Sequence, residues 1–215
     1  MGNYRYHLVA GLLVVVDQVS KLAVKGFSIF GFTHEGMKLG EVVPVLGNTI
    51  RLTYIENAGS AFGLEWGEAK IVLTLATIVI AGGLFWYLRK LTTASMVMQI
   101  AVMLLLAGAV GNLIDRVFYG VAYNQAGLFL GSVVDFIQVD IPDIDVFGLF
   151  WTHWPVFNVA DSCVSVGIVL LLLTGGKHNN TSPADVTAAP IQNSDPEAEG
   201  PQTHLGAEGD GADPR

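Results

Sequence analysis

The chain has 215 residues, 52% of them hydrophobic and only 14% charged, and its mean hydropathy of +0.52 excludes an ordinary soluble globular domain. Its net charge of −8 argues against a nucleic-acid partner, which needs a basic face. It also says little about the body of the protein, because −5 of it falls after Gly176, where seven acids face Lys177 and Arg215. Cys163 is the only cysteine, so no internal disulfide can form.

A spanning helix needs about 20 largely apolar residues to cross about 30 Å of hydrocarbon. The first such stretch runs from about Tyr6 to Gly26. Arg5 followed by Leu8 to Val16 resembles the start of a secretory signal, but no small-residue cleavage site follows. Asp17, Gln18, Ser20 and Lys21 instead continue the helical pattern, so a retained span is expected. The connection from Phe27 to Glu68 has strand-type alternation around Asn48 to Ile55, which predicts a small sheet lying at the membrane surface. A second span is predicted from Ala69 to Leu88, a short link holding Arg89 and Lys90 follows, and a third span runs from Ala94 to Val117. In the next connection, Phe118 to His153, the aromatics Phe147, Phe150 and Trp151, with Trp154 just beyond, read as interfacial residues. The fourth span runs from Trp154 to Thr174. The tail beyond it is rich in Pro, Gly, Ala, Asn and acids, has no apolar periodicity, and is expected to be disordered over residues 177–215. The predicted fold is an all-α membrane protein of four transmembrane helices, occupying residues 1–176, with a small extracytoplasmic β-sheet.

Basic residues in short loops set the orientation: Arg5, the Arg89–Lys90 link and Lys177 put both termini on the cytoplasmic side and the two long connections outside. With a rise of about 1.5 Å per residue, Asp17 and Lys21 fall in the outer half of span one. Asn112, Asp115 and Arg116 fall in the last turns of span three, and Asn158 and Asp161 in the first two turns of span four. The segment Asn57-Ala58-Gly59-Ser60-Ala61-Phe62-Gly63 arrives at the outer end of span two. The unusual polar residues of the membrane body thus converge on one zone.

Each residue also has a structural reading. Lys21 can snorkel to the headgroups with Asp17 beside it, Asn57 with Gly59 can form a turn, and Gly108 and Gly111 can permit close helix packing. Arg116 can pair with Asp115 at the helix end, and Ser162 and Cys163 suit helix packing better than nucleophilic attack. Asp161 is different, because an acid in an apolar span costs roughly 2.5–3.5 kcal/mol even on lenient insertion scales and so calls for a functional partner. Two close carboxyls cannot both ionise and therefore share a proton, supplying base and acid together. Asp115 and Asp135 are the candidate partners. Asp135 is preferred, with Asp115 as support, since Arg116 beside Asp115 would hold that acid ionised.

Five blocks carry a resemblance: Asp17-Gln18-Val19-Ser20-Lys21, Asn57 to Gly63, Gly111-Asn112-Leu113-Ile114-Asp115-Arg116, Val133-Val134-Asp135-Phe136, and Phe157-Asn158-Val159-Ala160-Asp161-Ser162. In this order the chain resembles the type II, or lipoprotein, signal peptidases of bacterial inner membranes. The resemblance implies an aspartic peptidase that cuts a prolipoprotein just before its diacylglyceryl-modified cysteine, with Asp135 and Asp161 as the catalytic pair. It further implies that Asn57, Asn112, Asp115, Arg116 and Asn158 shape the site, and that the sheet cradles the substrate. Membrane lipid and the lipid-modified substrate are the expected partners, and no metal or other cofactor is implied. A monomer is expected. Against the family pattern, the chain has extra sequence from Val121 to Ser132, which would enlarge a lid over the substrate, a long segment from Ile137 to Trp154, and the acidic tail. Two other readings are a proton-coupled transporter or relay through Asp17, Asp115 and Asp161, and a serine peptidase using Ser60 or Ser162 with Lys21 as base.

Overall fold

A computed structural model describes residues 4–59, 70–146 and 149–175, with only the backbone of 142–146 and 149–153. The expected tail, residues 60–63 of the Asn57 block with its serine, and the proposed interfacial aromatics Phe147, Phe150 and Trp151 lie outside the residues, or the side chains, so described.

Among the described residues, three helices are long and apolar enough to cross a membrane: α1 (Tyr4–Lys25), α2 (Lys70–Lys90), and α3 (Met96–Ile114), which runs on through a π-helical turn (Asp115–Tyr119) into the short α4 (Gly120–Ala122). The last described helix, α5 (Val159–Gly175), is apolar but shorter than the span expected from Trp154. The reason is local. Pro155 biases its predecessor away from helix, and Phe157 is taken up by strand-like bonds, accepting from the Ile137 N–H (2.7 Å) and donating to the Ile137 carbonyl (3.0 Å). The helix therefore starts after Asn158, a residue type favoured at the helix N-cap.

α3 is the central helix and packs against α1, α2 and α5. Tyr6 and Ala10 of α1, Leu88 of α2, and Val102, Met103, Leu106 and Ala107 of α3 form one buried apolar cluster. The start of α1 and the end of α2 therefore lie at the same end of the bundle. The outward faces stay apolar and exposed, Leu8, Leu12, Val79 and Leu172 among them, which suits a hydrocarbon solvent and not water.

α3 and α5 approach closely because glycine lines their contact. A Cβ on Gly108 would lie 2.4 Å from the Ala160 carbonyl oxygen and 2.5 Å from a methyl of Val164. Gly108→Ala should therefore lower the apparent melting temperature in detergent, against the stabilisation of about 1 kcal/mol that alanine brings to an open helix position. A rise in melting temperature would show that the helices can move apart at no cost.

Both long connections feed one antiparallel sheet in the order β3 (Val42–Leu46), β4 (Ile50–Asn57), β5 (Val133–Val146), β6 (Leu149–His153); β1 (Phe27–Ile29) and β2 (Phe32–His34) form a separate hairpin. The sheet is larger than alternation in the first connection alone predicts, because β5 and β6 come from the second. β4 and β5 pair so that Ile55 faces Asp135, Glu56 faces Val134 and Asn57 faces Val133. A second buried cluster, Val24, Tyr54, Tyr119, Val134 and Phe136, joins the sheet to the ends of α1 and α3. The extra sequence Val121–Ser132 folds back on the end of α3, with Gly131 N–H bonded to the Arg116 carbonyl (2.9 Å) and Phe129 N–H to that of Val117 (3.2 Å), and so delivers β5 beside the bundle.

Candidate active site

The site is built outward from α1. Asp17 and Lys21 lie one turn apart on its buried face, and Lys21 is wholly buried. Its ammonium touches Asp17 Oδ2, Asp115 Oδ2 and Asn112 Oδ1, each at 2.9 Å. Three acceptors satisfy the three donors an ammonium has. The residue does not snorkel to the headgroups, because two buried carboxylates would then be left without a cation. Nor does Asp115 pair with Arg116 as the sequence suggested. The π-helical turn that begins at Asp115 turns its carboxylate to Lys21, while Arg116 lies in the combined field of Asp115, Asp135 and Asp161.

Each carboxylate of this cluster also grips a backbone N–H. Asp17 Oδ1 accepts from Ala160 N (2.8 Å), one of the unpaired donors at the start of α5. Asp115 Oδ2 accepts from Val134 N (3.1 Å) in β5. Ala160 and Val134 immediately precede Asp161 and Asp135, so the Lys21 cluster holds the backbone of both acids. Gln18, a site residue that the sequence alone did not single out, completes it: its amide donates to Asp115 Oδ1 (2.9 Å) and the Gly111 carbonyl (3.0 Å), and its carbonyl accepts from Tyr119 (3.1 Å). The signal for Gln18 was the same as for Asp17, a polar group in an apolar helix. A Cβ on Gly111 would meet Asp17 Oδ2 at 2.7 Å, so this glycine makes room for the carboxylate as well as for the helix contact.

Asn158 is the centre of the arrangement. Its Oδ1 accepts from Asp161 N (2.8 Å) while its own N–H donates to Asp161 Oδ2 (3.2 Å), a reciprocal capping box with aspartate in the third helical position. Its amide nitrogen meanwhile donates to Asp135 Oδ1 (2.7 Å), Asn112 Oδ1 (3.1 Å) and the Val134 carbonyl (3.3 Å). Asn112 then donates to Asp161 Oδ1 (2.7 Å), and Asn57 to Asp135 Oδ2 (3.2 Å). The Asn57 carbonyl accepts from Gly59 N (3.0 Å), and Gly59 has a φ of 91°. The turn reading of Asn57 and its contact with the site are thus both realised in one side chain.

Asp135 and Asp161 line one open cleft of about 470 Å³ whose other walls include Trp154, Phe157 and Val166. Asp135 is buried, and burial first, then the negative charge of Asp161, push its carboxyl up to about 7. Asp161 is half-buried at the cleft wall. No residue of the Val121–Ser132 segment lines this cleft. The serine-base reading loses its base, since Lys21 is fully engaged, and Ser162 donates to the Asn158 carbonyl (3.0 Å).

Residues 9–175 match the family model described as signal peptidase (SPase) II. The chain belongs to the signal peptidase II family. Similar members, each called lipoprotein signal peptidase, include that of Chlorobaculum tepidum, 34% identical over 168 residues (78% of this chain, 91% of that protein), and that of Syntrophotalea carbinolica, 36% identical over 170 residues (77% and 87%). Among solved structures, a bacterial membrane enzyme determined by the in meso method is similar with a TM-score of 0.59 at 31% identity, covering 81% of this chain and 94% of that one. A second, also titled a bacterial membrane enzyme, has a TM-score of 0.57, again at 31% identity. A signal peptidase II is a peptide-bond hydrolase, and membership of the family does not favour the transporter reading. Outside the site, Lys25 at the end of α1 forms an ion pair with Glu56 of β4, a contact that the sequence did not signal. Burial opposes the Glu56 charge, but hydrogen bonds from Lys25, Tyr54 and Gln125 outweigh it and hold the carboxyl below its usual value.

Proposed function

We propose that this signal peptidase II removes signal peptides from diacylglyceryl-modified prolipoproteins by aspartic catalysis, cutting before the lipidated cysteine, with Asp135 and Asp161 as the catalytic pair. The observation that carries the reading is the single amide of Asn158, which caps the helix of one acid and hydrogen-bonds the carboxyl of the other at the wall of a shared, mostly apolar cleft. Asp135 holds the shared proton and hydrogen-bonds the scissile carbonyl, so that negative charge developing on its oxygen is met by a donor. Asp161 takes a proton from the attacking water, and the two acids exchange roles when the amine leaves. Asn57, Asn112 and Asn158 orient the carboxyls, Lys21, Asp17 and Asp115 fix the backbone beneath them, and Arg116 supplies positive potential.

The same reading gives four membrane crossings in a bacterial inner membrane, α5 completing the fourth with the extended residues before it. Arg5, Arg89 and Lys90 lie at the bundle end formed by Tyr6 and Leu88, opposite the sheet, which supports cytoplasmic termini and a periplasmic site. A substrate anchored by acyl chains reaches the acids at that depth, and the enzyme works as a monomer among lipids.

The test is cleavage by the full chain in vesicles of a prolipoprotein with and without its diacylglyceryl group. The modified form is expected to be cut before the cysteine and the unmodified form to be left intact. Equal cleavage of both would remove the lipid requirement from the reading.

A further inference from the structure

Outside the site, polar side chains from three distant segments meet around the buried Lys25 ammonium, with Gln125 on the exposed side of the contact. Lys25, the last residue of α1, forms an ion pair with Glu56 of β4, donates to Gln125 Oε1 (3.0 Å) and Tyr54 Oη (3.3 Å), and lies 4.3 Å from the Tyr123 ring centroid. The Glu56 carboxylate accepts from the Tyr54 hydroxyl and from Gln125 Nε2 (3.2 Å) as well. Gln125 and Tyr123 belong to the extra segment that leads into β5. A cation drawn into a buried site in this way is retained only when its partners are in place, so the contact fixes the three segments relative to one another.

The position of Glu56 in the sheet gives the contact a consequence. Glu56 faces Val134 across the β4–β5 pair, and its neighbour in sequence, Asn57, donates to the Asp135 carboxyl. Successive side chains on a strand point to opposite faces. One face of the end of β4 is thus clamped to Lys25 and Gln125, while the other presents an amide to Asp135. The register between the strands shifts between Leu52 and Ile55, just before this end, so only the short run Ile55 to Asn57 against Asp135 to Val133 and the Glu56 clamp hold it in place.

We propose that Glu56 is a positioning residue for peptide cleavage: clamped by Lys25 and Gln125, it locks the end of β4 so that the Asn57 amide meets the Asp135 carboxyl. The proposal rests on the reading of Asp135 as catalytic, and it gives the extra Val121–Ser132 segment a role in that reading, supplying Gln125 to the clamp.

Steady-state cleavage of a diacylglyceryl-modified peptide by the full chain in lipid vesicles tests it, with Glu56→Ala, Glu56→Gln, Asn57→Ala, the Glu56→Ala/Asn57→Ala pair and Asp135→Asn measured side by side. Misplacing a group at a reacting centre costs rate more than binding, so Glu56→Ala should lower kcat about tenfold and leave KM within about twofold. Glu56→Gln keeps an acceptor for Lys25 and Tyr54 and should recover most of that loss. Because Glu56 acts through Asn57, the double variant should be no slower than Asn57→Ala alone. Multiplied losses in the double variant, or normal kcat in Glu56→Ala while Asp135→Asn is inactive, overturn the proposal and leave the catalytic pair standing. Turnover retained by Asp135→Asn overturns the catalytic reading and the proposal with it. Should Glu56→Ala fail to accumulate, Gln125→Ala, which spares the ion pair, replaces it: a lowered kcat at constant KM supports the clamp, and an unchanged kcat overturns it.

Discussion

Asp135→Asn and Asp161→Asn should each lower turnover of a diacylglyceryl-modified substrate by at least about 10³-fold, because positioned acid–base groups contribute roughly 10²–10⁴ each and here neither acid can act without the other. The substitutions keep the side-chain shape, so the contacts around them test chemistry and not packing. An amide at position 161 can accept from only one of the Asn158 N–H and the Asn112 side chain, and one at position 135 from only one of the Asn57 and Asn158 side chains, so each variant loses one hydrogen bond. A lost hydrogen bond costs about 1–3 kcal/mol, so a lowered melting temperature with a folded protein is expected beside the lost activity. The pH dependence follows from the same pair. Asp135 has to carry the proton, and its carboxyl is pushed up to about 7, so the wild-type rate should fall as pH rises through about 7.

Stability should change in the same direction. Between the ordinary aspartate value of 3.8 and about 7 the folded chain binds more protons than the unfolded one. This group's contribution to stability is therefore complete below 3.8 and is lost as pH rises through about 7. Asp135→Asn should remove that slope from a plot of melting temperature against pH. Full turnover in either asparagine variant, measured on protein free of wild type, would end the aspartic assignment.

Lys21→Met should be the most destabilising single change in the described body, even though Lys21 touches neither of the two catalytic acids. It removes the one cation bound to both Asp17 and Asp115, which are 1% and 0% exposed. Taking one partner from a buried ion pair costs about 3–5 kcal/mol, and here two carboxylates lose it at once. Against a total stability of roughly 5–15 kcal/mol, the variant should accumulate poorly and melt far below the wild type. The backbone N–H groups of Ala160 and Val134 would also lose their fixed acceptors, so any folded fraction should be inactive. Combining Lys21→Met with Asp17→Asn and Asp115→Asn removes all three charges and should recover much of the melting temperature. A Lys21→Met protein with wild-type melting behaviour would show that this network is not what holds the two acid-bearing segments.

The chemistry-bearing residues were legible because polar groups are rare in apolar helices. Asp17, Lys21, Asn112, Asp115, Asn158 and Asp161 each interrupt a run of Leu, Val and Ile, and depth counted along the helices brings them to one end. The first connection's sheet was legible from its alternation, and the helix starts and stops were readable to within a few residues. The exception was α5, where Pro155 and the pairing of Phe157 with Ile137 postpone the helix.

Which donor meets which acceptor was decided by tertiary structure. Periodicity gives the face and depth of a side chain but not the register of a strand from one connection against a strand from another. That register puts Asn57 on the same face as Asp135 and Glu56 opposite Val134. Local sequence favoured Arg116 as the partner of Asp115 and a snorkelling Lys21. The packed bundle excludes water from Asp115 and Lys21, and a buried carboxylate then takes the cation that is buried with it, 2.9 Å away in space and 94 residues away in the chain. The amino-acid order therefore determined that this is a membrane protein with its acids gathered at one end. Only the folded chain, by desolvating those groups and forcing each to find a partner, decided how they are arranged.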